Sequence, residues 1–475
     1  MGRARSRPVF WVLVIALLAG ISPACEGRER PDVILILSDD LSYRIGLYGF
    51  PVQTPSLDAL AEKGRRFDRA YCQFPLCNPS RTSMLTGWRP ERTAVWGNLR
   101  NPAPYVRDAV PLQEHFERNG YFTARVGKVY HSRFEDEFRW SQVYDTYGGE
   151  EVSGQPKRWG PSRASEEELP DARAAQRVIE LLSTPREQPL FIAMGLIKPH
   201  TPWVVPGPYF RLYPPESTEL PRSASEQSGT RSLGGLRRER WPEALAAYRA
   251  AVTFADAQVG RVLEAVERLD RWDRTIIVFA GDNGFHAGEH GRFGKNTLYE
   301  EASRVPLVIA AAAVKEPGTA TTRVVELVDV YPTLVDLCGL PPVPGLDGVS
   351  LRPLLEDPTA SVKEAAFTMT RVGATRLGTI GLSTRTERYR YTLWPGGREE
   401  LYDHETDPDE MVNLAKRAEL QQTLQKLRRL SEVLPEVRPD RVLPRAGEAG
   451  DDADDESETS RAVEPDSPPP SSGPG

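Results

Sequence analysis

Two apolar runs in this chain end the same way, and that repetition limits the folds open to it. Val33-Ile-Leu-Ile-Leu37 runs into Ser38-Asp39-Asp40, and Thr275-Ile-Ile-Val-Phe-Ala280 runs into Gly281-Asp282-Asn283. Such a run, without polar alternation, reads as a strand buried on both faces, the habit of parallel sheets. Residues 121–126, 189–195 and 305–309 are built alike, and helical patterns fall at 54–64, 111–118, 172–182, 242–269 and 325–339. Strands alternating with helices predict an α/β domain: a large mixed, mostly parallel sheet sandwiched by helices. In such sheets ligands bind outside the carboxyl ends of the strands. The acids at 39, 40 and 282 sit at those ends.

Four segments follow from texture. Residues 1–24 carry Arg3, Arg5 and Arg7, a short apolar core and then Ser22-Pro-Ala24, the build of a secretory signal peptide. Residues 31–365 are the α/β domain. Residues 366–440 change to short strand-like runs at 366–370, 377–383, 388–393 and 400–403, then a helix over 418–434: a smaller C-terminal antiparallel α+β unit. Residues 441–475 are acidic and then Pro/Ser/Gly-rich, with little to bury, and are expected to be disordered. Residues 134–170 read as a long surface loop. With 201–240 they would shape the rim of a pocket.

The net charge of −7 resides in the tail, where nine acids and one arginine follow residue 446, leaving the body near +1. That balance offers no concentrated basic field for nucleic acid. Four cysteines, Cys25, Cys72, Cys77 and Cys338, are too few for a disulfide framework, although Cys72 and Cys338 could pair. The leader implies an exported protein, periplasmic or extracellular. Cys25 at its end adds the option of a lipid-anchored lipoprotein.

Chemistry-bearing residues gather at strand ends. Adjacent Asp39 and Asp40, with Asp282 and Asn283, form an oxygen-only ligand set, which suits a hard cation such as Ca²⁺ or Mg²⁺ better than zinc. Lys128 and His131 follow the strand at 121–126, His200 follows that at 189–195, and Lys295 lies beyond Asn283. Arg81, Lys128 and Lys295 could grip a tetrahedral anion, and the histidines could move protons near neutral pH. Cys77-Asn-Pro-Ser-Arg81 opens a helix, with Pro79 expected at its first position. Together these features indicate a hydrolase of anionic esters.

The stretch Cys77-Asn-Pro-Ser-Arg81 with Leu85-Thr-Gly87 resembles the sulfatase signature. The resemblance spans residues 31–435 and includes Gly127-Lys128-Val-Tyr-His131, Lys198-Pro-His200, Asp282-Asn283 with Gly288-Glu-His-Gly291, Lys295 and Leu401-Tyr-Asp-His-Glu-Thr-Asp-Pro408. It points to type I, formylglycine-dependent sulfatases of the alkaline-phosphatase superfamily, most like the iduronate-2-sulfatase group. Asn283 departs from that group, which often has histidine there.

The resemblance implies that Cys77 is converted to formylglycine by a formylglycine-generating or anaerobic sulfatase-maturing enzyme. One hydroxyl of the aldehyde hydrate would attack sulfur and the other would expel sulfate, a step a plain thiol cannot perform. It further implies one Ca²⁺ held by Asp39, Asp40, Asp282, Asn283 and the modified Cys77. Arg81 would hold the hydrate, Lys128 and Lys295 the sulfate. His131 would take the proton from the remaining hydroxyl, and His200 would serve the leaving alcohol. The expected substrate is a sulfated carbohydrate, glycosaminoglycan-like. The competing expectations are a phosphodiesterase or phosphonate monoester hydrolase with the same site, and a non-catalytic binder of sulfated glycans.

Overall fold

A computed structural model describes residues 30–131, 133–146, 158–224, 236–371, 380–432 and 434. The leader, Cys25, the 441–475 tail and parts of the two rim segments lie outside the described residues.

Nine strands form one sheet. Asp32–Asp39 lies at its centre, parallel to Thr275–Gly281 on one side and to Leu190–Pro199 on the other. Phe122–Gly127 and the short Gln142–Tyr144 extend the parallel part. Beyond Thr275–Gly281 the sheet turns mixed: Leu307–Ala310 runs antiparallel to it and to Arg65–Tyr71. Every residue of the central strand is buried, as its unbroken apolar run requires. Ile34 and Ile36 pack into the layer holding the long helix Trp241–Arg268, while Val33, Leu35 and Leu37 pack into the opposite layer with Met84, Leu85, Leu112 and Phe116. Two helical layers therefore cover the sheet. Ala366–Arg371, Ile380–Arg385, Tyr389–Leu393 and Glu399–Asp403 form a separate antiparallel sheet, with the helix Gln421–Ser431 placing Leu424 and Leu427 against Tyr391 and Leu401.

Several expectations needed correction. Residues 325–339 are not one helix: Ala320–Glu326 is a strand parallel to Arg65–Tyr71, and the helix is Val330–Leu337. The β-branched Thr321, Thr322, Val324 and Val325 favour the strand, and Glu326 and Asp329 cap the turn between the two elements reciprocally. Arg65–Tyr71, whose polar and charged residues give no strand signal, forms an internal strand. The 134–170 segment is not structureless; Gln142–Tyr144 joins the sheet edge and Trp159–Pro161 pairs with Trp203–Val205. Cys72 and Cys338 do not pair. Both are buried free thiols, Cys72 facing the Ala302 carbonyl.

Candidate active site

The helix Cys77–Thr86 begins beside the carboxyl end of the central strand, and all ten of its residues are buried. Cys77, not Pro79, takes the first helical position; Pro79 is the third residue, where its missing N–H still costs no intrahelical bond. The helix start is anchored by Asn78. Its backbone N–H donates to Asn98 Oδ1 at 3.0 Å, and its side-chain amide donates to the carbonyls of Gly97 and Arg100. Gly87, in the left-handed region, ends the helix.

Cys77 Sγ lies 3.1 Å from Asp39 Oδ1, 3.7 Å from Asp40 Oδ1 and 2.8 Å from Lys295 Nζ. Burial, then the neighbouring Asp39 carboxylate, pushes the thiol well above its ordinary range, against the pull of Lys295 and Lys128. The encoded sulfur is therefore a protonated thiol, a weak nucleophile.

Three carboxylates crowd this point. Asp39, Asp40 and Asp282 each bring an oxygen within 4.8 Å of the others. Asp282 Oδ1 accepts the backbone N–H groups of Asp40 (3.0 Å) and Asn283 (2.7 Å), fixing the turns that carry both residues. Burial raises the Asp282 carboxyl to about 6, with Arg81 pulling it down and Asp39 and Asp40 pushing it up. For Asp39, burial acts upward, but Lys128, His200, Arg81 and Lys295 outweigh it and hold the group well below the usual carboxylate range.

The donor set fits a divalent cation. Asn283 Nδ2 spends its hydrogens on Asp40 Oδ1 (2.8 Å) and the Gly284 carbonyl (2.9 Å). That leaves Asn283 Oδ1 buried with no donor among the described residues. An orphaned amide oxygen beside three carboxylates is costly without a cation and apt with one.

The cations surround this centre. Lys128 Nζ contacts Asp39 Oδ2, and Lys295 Nζ lies 2.5 Å from Asp40 Oδ1. Arg81 bonds Asp282 Oδ2 at 2.7 Å through Nε and reaches Asp39 Oδ1 at 3.5 Å; it also donates to the carbonyls of Lys128 and Val129. The guanidinium thus joins the acids to the Lys128 loop as well as lying beside Cys77. Gly127 and Gly195 allow the close approach of that loop: a Cβ on Gly195 would lie 1.7 Å from the Lys128 carbonyl oxygen.

His200 points Nε2 at Asp40 Oδ2, 3.8 Å away, and its Nδ1 lies 2.7 Å from the Thr201 carbonyl, so Nδ1 carries the proton in the neutral ring. His131 is partly buried. Burial and the Lys128 charge lower its pKa to about 2, and its Nδ1 has no partner among the described residues. Nine of the ten expected residues are thus in mutual contact, and His131 feels the charges of Lys128, Asp39, Lys295 and Arg81.

Residues outside the expected set hold these groups in place. The Tyr248 hydroxyl, on the long helix, donates to the Asp40 carbonyl at 2.9 Å and accepts from the Ser42 N–H at 2.8 Å. Asp171 accepts the N–H groups of Ile197 and Lys198, and Lys198 Nζ bridges the carbonyls of His200 and Pro202. His286 Nε2 meets Thr297 Oγ1 at 2.7 Å, and Glu289 accepts the Ala287 N–H, bracing the loop that carries Lys295. Tyr248 reads as a core residue by its helical spacing. Only the polar tip of an otherwise apolar helix face hints at more.

Comparison with known proteins bears on this arrangement. Residues 31–340 match the family described as Sulfatase, and residues 288–436 match N-sulphoglucosamine sulphohydrolase, C-terminal. A sulfatase from Formosa agariphila is 31% identical, covering 85% of this chain and 86% of its own. Human iduronate 2-sulfatase is 28% identical, over 81% of this chain and 88% of its own. A protein solved with its substrate D-glucosamine-2-N,6-O-disulfate superposes with a TM-score of 0.72 at 21% identity, covering 85% of this chain and 97% of its own. The phosphonate monoester hydrolase of Agrobacterium radiobacter gives 0.73 at 24% identity, covering 85% and 95%. At such identities the two structures share the fold.

Proposed function

The chain belongs to the sulfatase family and is a sulfuric ester hydrolase, and on that premise we propose that it removes sulfate from a sulfated carbohydrate, with residue 77 as formylglycine and one Ca²⁺ at the acidic cluster. The observation that carries this reading is the meeting of Cys77, three carboxylates, the orphaned Asn283 oxygen and two lysines at one point. The sulfated sugar is supported by relatives and neighbours whose names cite iduronate, glucosamine disulfate and 2-O sulfate of glycosaminoglycans.

Asp39, Asp40, Asp282, Asn283 and residue 77 would hold the cation, which supplies charge neutralisation for the sulfate and acidifies the nucleophile. Formylglycine supplies a hydrated aldehyde whose hydroxyl can attack, where the protonated thiol cannot. Lys295, against Cys77, and Lys128, on Asp39, would neutralise sulfate oxygens as charge shifts toward the leaving alcohol. His200 Nε2, 3.8 Å from Asp40 Oδ2, would protonate or hydrogen-bond that alcohol. Burial and the Lys128 charge keep the His131 ring neutral, and it would take the proton of the remaining hydroxyl only once an anion at the site offsets that charge. Arg81 fixes Asp39 and Asp282 relative to the helix start beside which the nucleophile sits.

The leader at residues 1–24 supports export. Whether Cys25 carries lipid is decided by mass spectrometry of the mature N-terminus.

Purified protein tests the main reading when offered sulfated oligosaccharides, an aryl sulfate and a phosphodiester. Sulfate release from the first two, faster than diester cleavage, is expected. Preference for a phosphodiester or phosphonate ester would transfer the same site to the other branch of the superfamily, and binding without turnover would leave a glycan-binding protein.

A further inference from the structure

The strand Ala366–Arg371 of the C-terminal sheet is bonded to the chain segment that leads into Cys77. The Thr368 hydroxyl donates to the Cys72 carbonyl at 2.7 Å, and the Met369 N–H donates to the Gln73 carbonyl at 2.9 Å. Met369 also packs with Phe74 and Trp96, and Leu76, Ile380 and Leu382 lie against that cluster. The C-terminal unit thus helps fix the approach to Cys77.

The same strand reaches the lysine that faces Cys77. Thr370, on the strand face that carries Thr368, donates its hydroxyl proton to Asn296 Oδ1 at 2.7 Å. Asn296 directly follows Lys295, whose ammonium lies 2.8 Å from the Cys77 sulfur. The Asn296 N–H donates to the carbonyl of Pro75, two residues before Cys77, at 3.1 Å. Asn296 has a φ of 64°, in the left-handed region that asparagine tolerates better than most residues. A backbone of that kind persists where its surroundings over-determine it, and Thr370 and Pro75 supply the contacts. Thr370 is buried and Asn296 is exposed, so the bond ties an outer turn of the Lys295 loop to a fixed strand. Gly381, paired with Thr370 across the sheet, leaves the room: a Cβ there would meet Trp394 at 2.8 Å and Leu298 at 3.1 Å.

The far end of the span is held from the same unit. Glu410, also left-handed with a φ of 52°, accepts the Glu300 N–H at 2.8 Å. Its neighbour Asp409 shares the Arg44 guanidinium with Glu301, at 2.7 and 2.8 Å. Both acids directly follow the Leu401–Pro408 stretch. The chain that continues from Lys295 is therefore gripped by the C-terminal unit at Asn296 and again at Glu300.

We propose that Asn296 is a positioning residue for Lys295 and that Thr370 holds it in that role, so that the C-terminal sheet sets the distance between the ammonium and residue 77. The proposal rests on the reading of Lys295 as a group that neutralises sulfate. One strand then serves both partners: residues 368 and 369 place the approach to residue 77, and residue 370 places the lysine. Precision of this kind matters, because a misplacement of about 1 Å by a change away from the chemistry can cost as much as 10²-fold in rate.

The test is steady-state hydrolysis of an aryl sulfate by the full-length, matured enzyme. Thr370→Val keeps the branched shape and strand preference of the side chain and removes the donated proton. It should lower kcat/KM about tenfold, and Thr370→Ser, which keeps a hydroxyl, should stay within about twofold of the parent. Asn296→Gly keeps the left-handed backbone and removes the acceptor. At an exposed position it should fold even if the strand variant does not, and it should show the same loss. The two substitutions together should cost no more than either alone, because they break one bond. In a Lys295→Ala background each should lose less than about twofold, since no ammonium is left to place. Activity within twofold of the parent in both Thr370→Val and Asn296→Gly overturns the proposal. A tenfold loss that persists without Lys295 overturns it too, because it marks a contact that serves the fold alone. An enzyme that hydrolyses no sulfate ester would fail the functional reading separately. Crystal structures of the parent and Thr370→Val then decide the positional claim: it stands if the ammonium withdraws from residue 77 and falls if the 2.8 Å contact persists.

Discussion

The Lys295 ammonium lies 2.8 Å from the Cys77 sulfur and 2.5 Å from Asp40 Oδ1, so one cation touches both residue 77 and a carboxylate of the acidic cluster. Lys295→Ala should remove a charge aimed at the sulfate. A loss of about 10²–10³-fold in kcat/KM is expected, the range for deleting one preorganised donor to a developing anion. A variant within a few-fold of wild type in steady-state kinetics would remove Lys295 from the machinery.

The orphaned oxygen of Asn283 makes a second prediction. Dialysis against a chelator should abolish activity, and Ca²⁺ should restore it. Asn283→Ala should raise the Ca²⁺ concentration needed for half-restoration by about 10–100-fold, as lost metal contacts commonly do. The cation should also raise the melting temperature of the parent through binding to the native state. A chelated protein with full activity and an unchanged melting temperature would contradict the assignment.

His200 should matter in proportion to how poor the leaving group is. His200→Ala should slow a sugar sulfate, whose alcohol must be protonated, by about 10²–10⁴-fold. An aryl sulfate, whose phenolate leaves unaided, should suffer far less. Equal losses on both substrates would assign His200 a positional role only.

Away from the site, Glu326 binds both Arg89 and Lys363 and accepts the Phe367 N–H, tying the main sheet to the C-terminal one. Burial acts to raise its carboxyl, but Arg89 and Lys363 outweigh it and hold the group at about 2, against 4.5 when unfolded. A depressed carboxylate stabilises above its unfolded pKa, and the stability drains away as pH falls from 4.5 towards 2. The shift corresponds to about 3 kcal/mol. Glu326→Gln should lose about 3–5 kcal/mol near neutral pH by leaving Arg89 and Lys363 buried beside a neutral amide. Its unfolding free energy in denaturant should fall less steeply over that acid window than wild type does. An unchanged acid slope would show that other groups govern it.

The strands were the legible part of the fold. A parallel strand buried on both faces must be apolar throughout, so residues 32–39 and 275–281 declare themselves locally. Residues 325–339 misled because the short apolar stretch at 324–328, running straight into a helix, has no distinguishing period; pairing of Ala320–Glu326 with Arg65–Tyr71 decides it, and that partner is some 250 residues away. The site divides similarly. Acids and lysines at strand ends can be read as motifs, whereas Tyr248, Asp171 and His286 act through contacts that only the assembled chain creates. Tyr248 sits among apolar helix neighbours, and its one polar atom, the hydroxyl, holds the backbone of Asp40.

The central claim is that residue 77 works as formylglycine and not as the thiol the gene encodes. Mass spectrometry of the peptide spanning residues 77–81, from active enzyme made with its maturation partner, measures this directly. A peptide about 18 Da lighter than the cysteine form is predicted, from loss of sulfur and two hydrogens and gain of oxygen on that side chain, together with sulfate release that disappears in Cys77→Ala. A fully active preparation whose peptide retains unmodified cysteine would contradict the account.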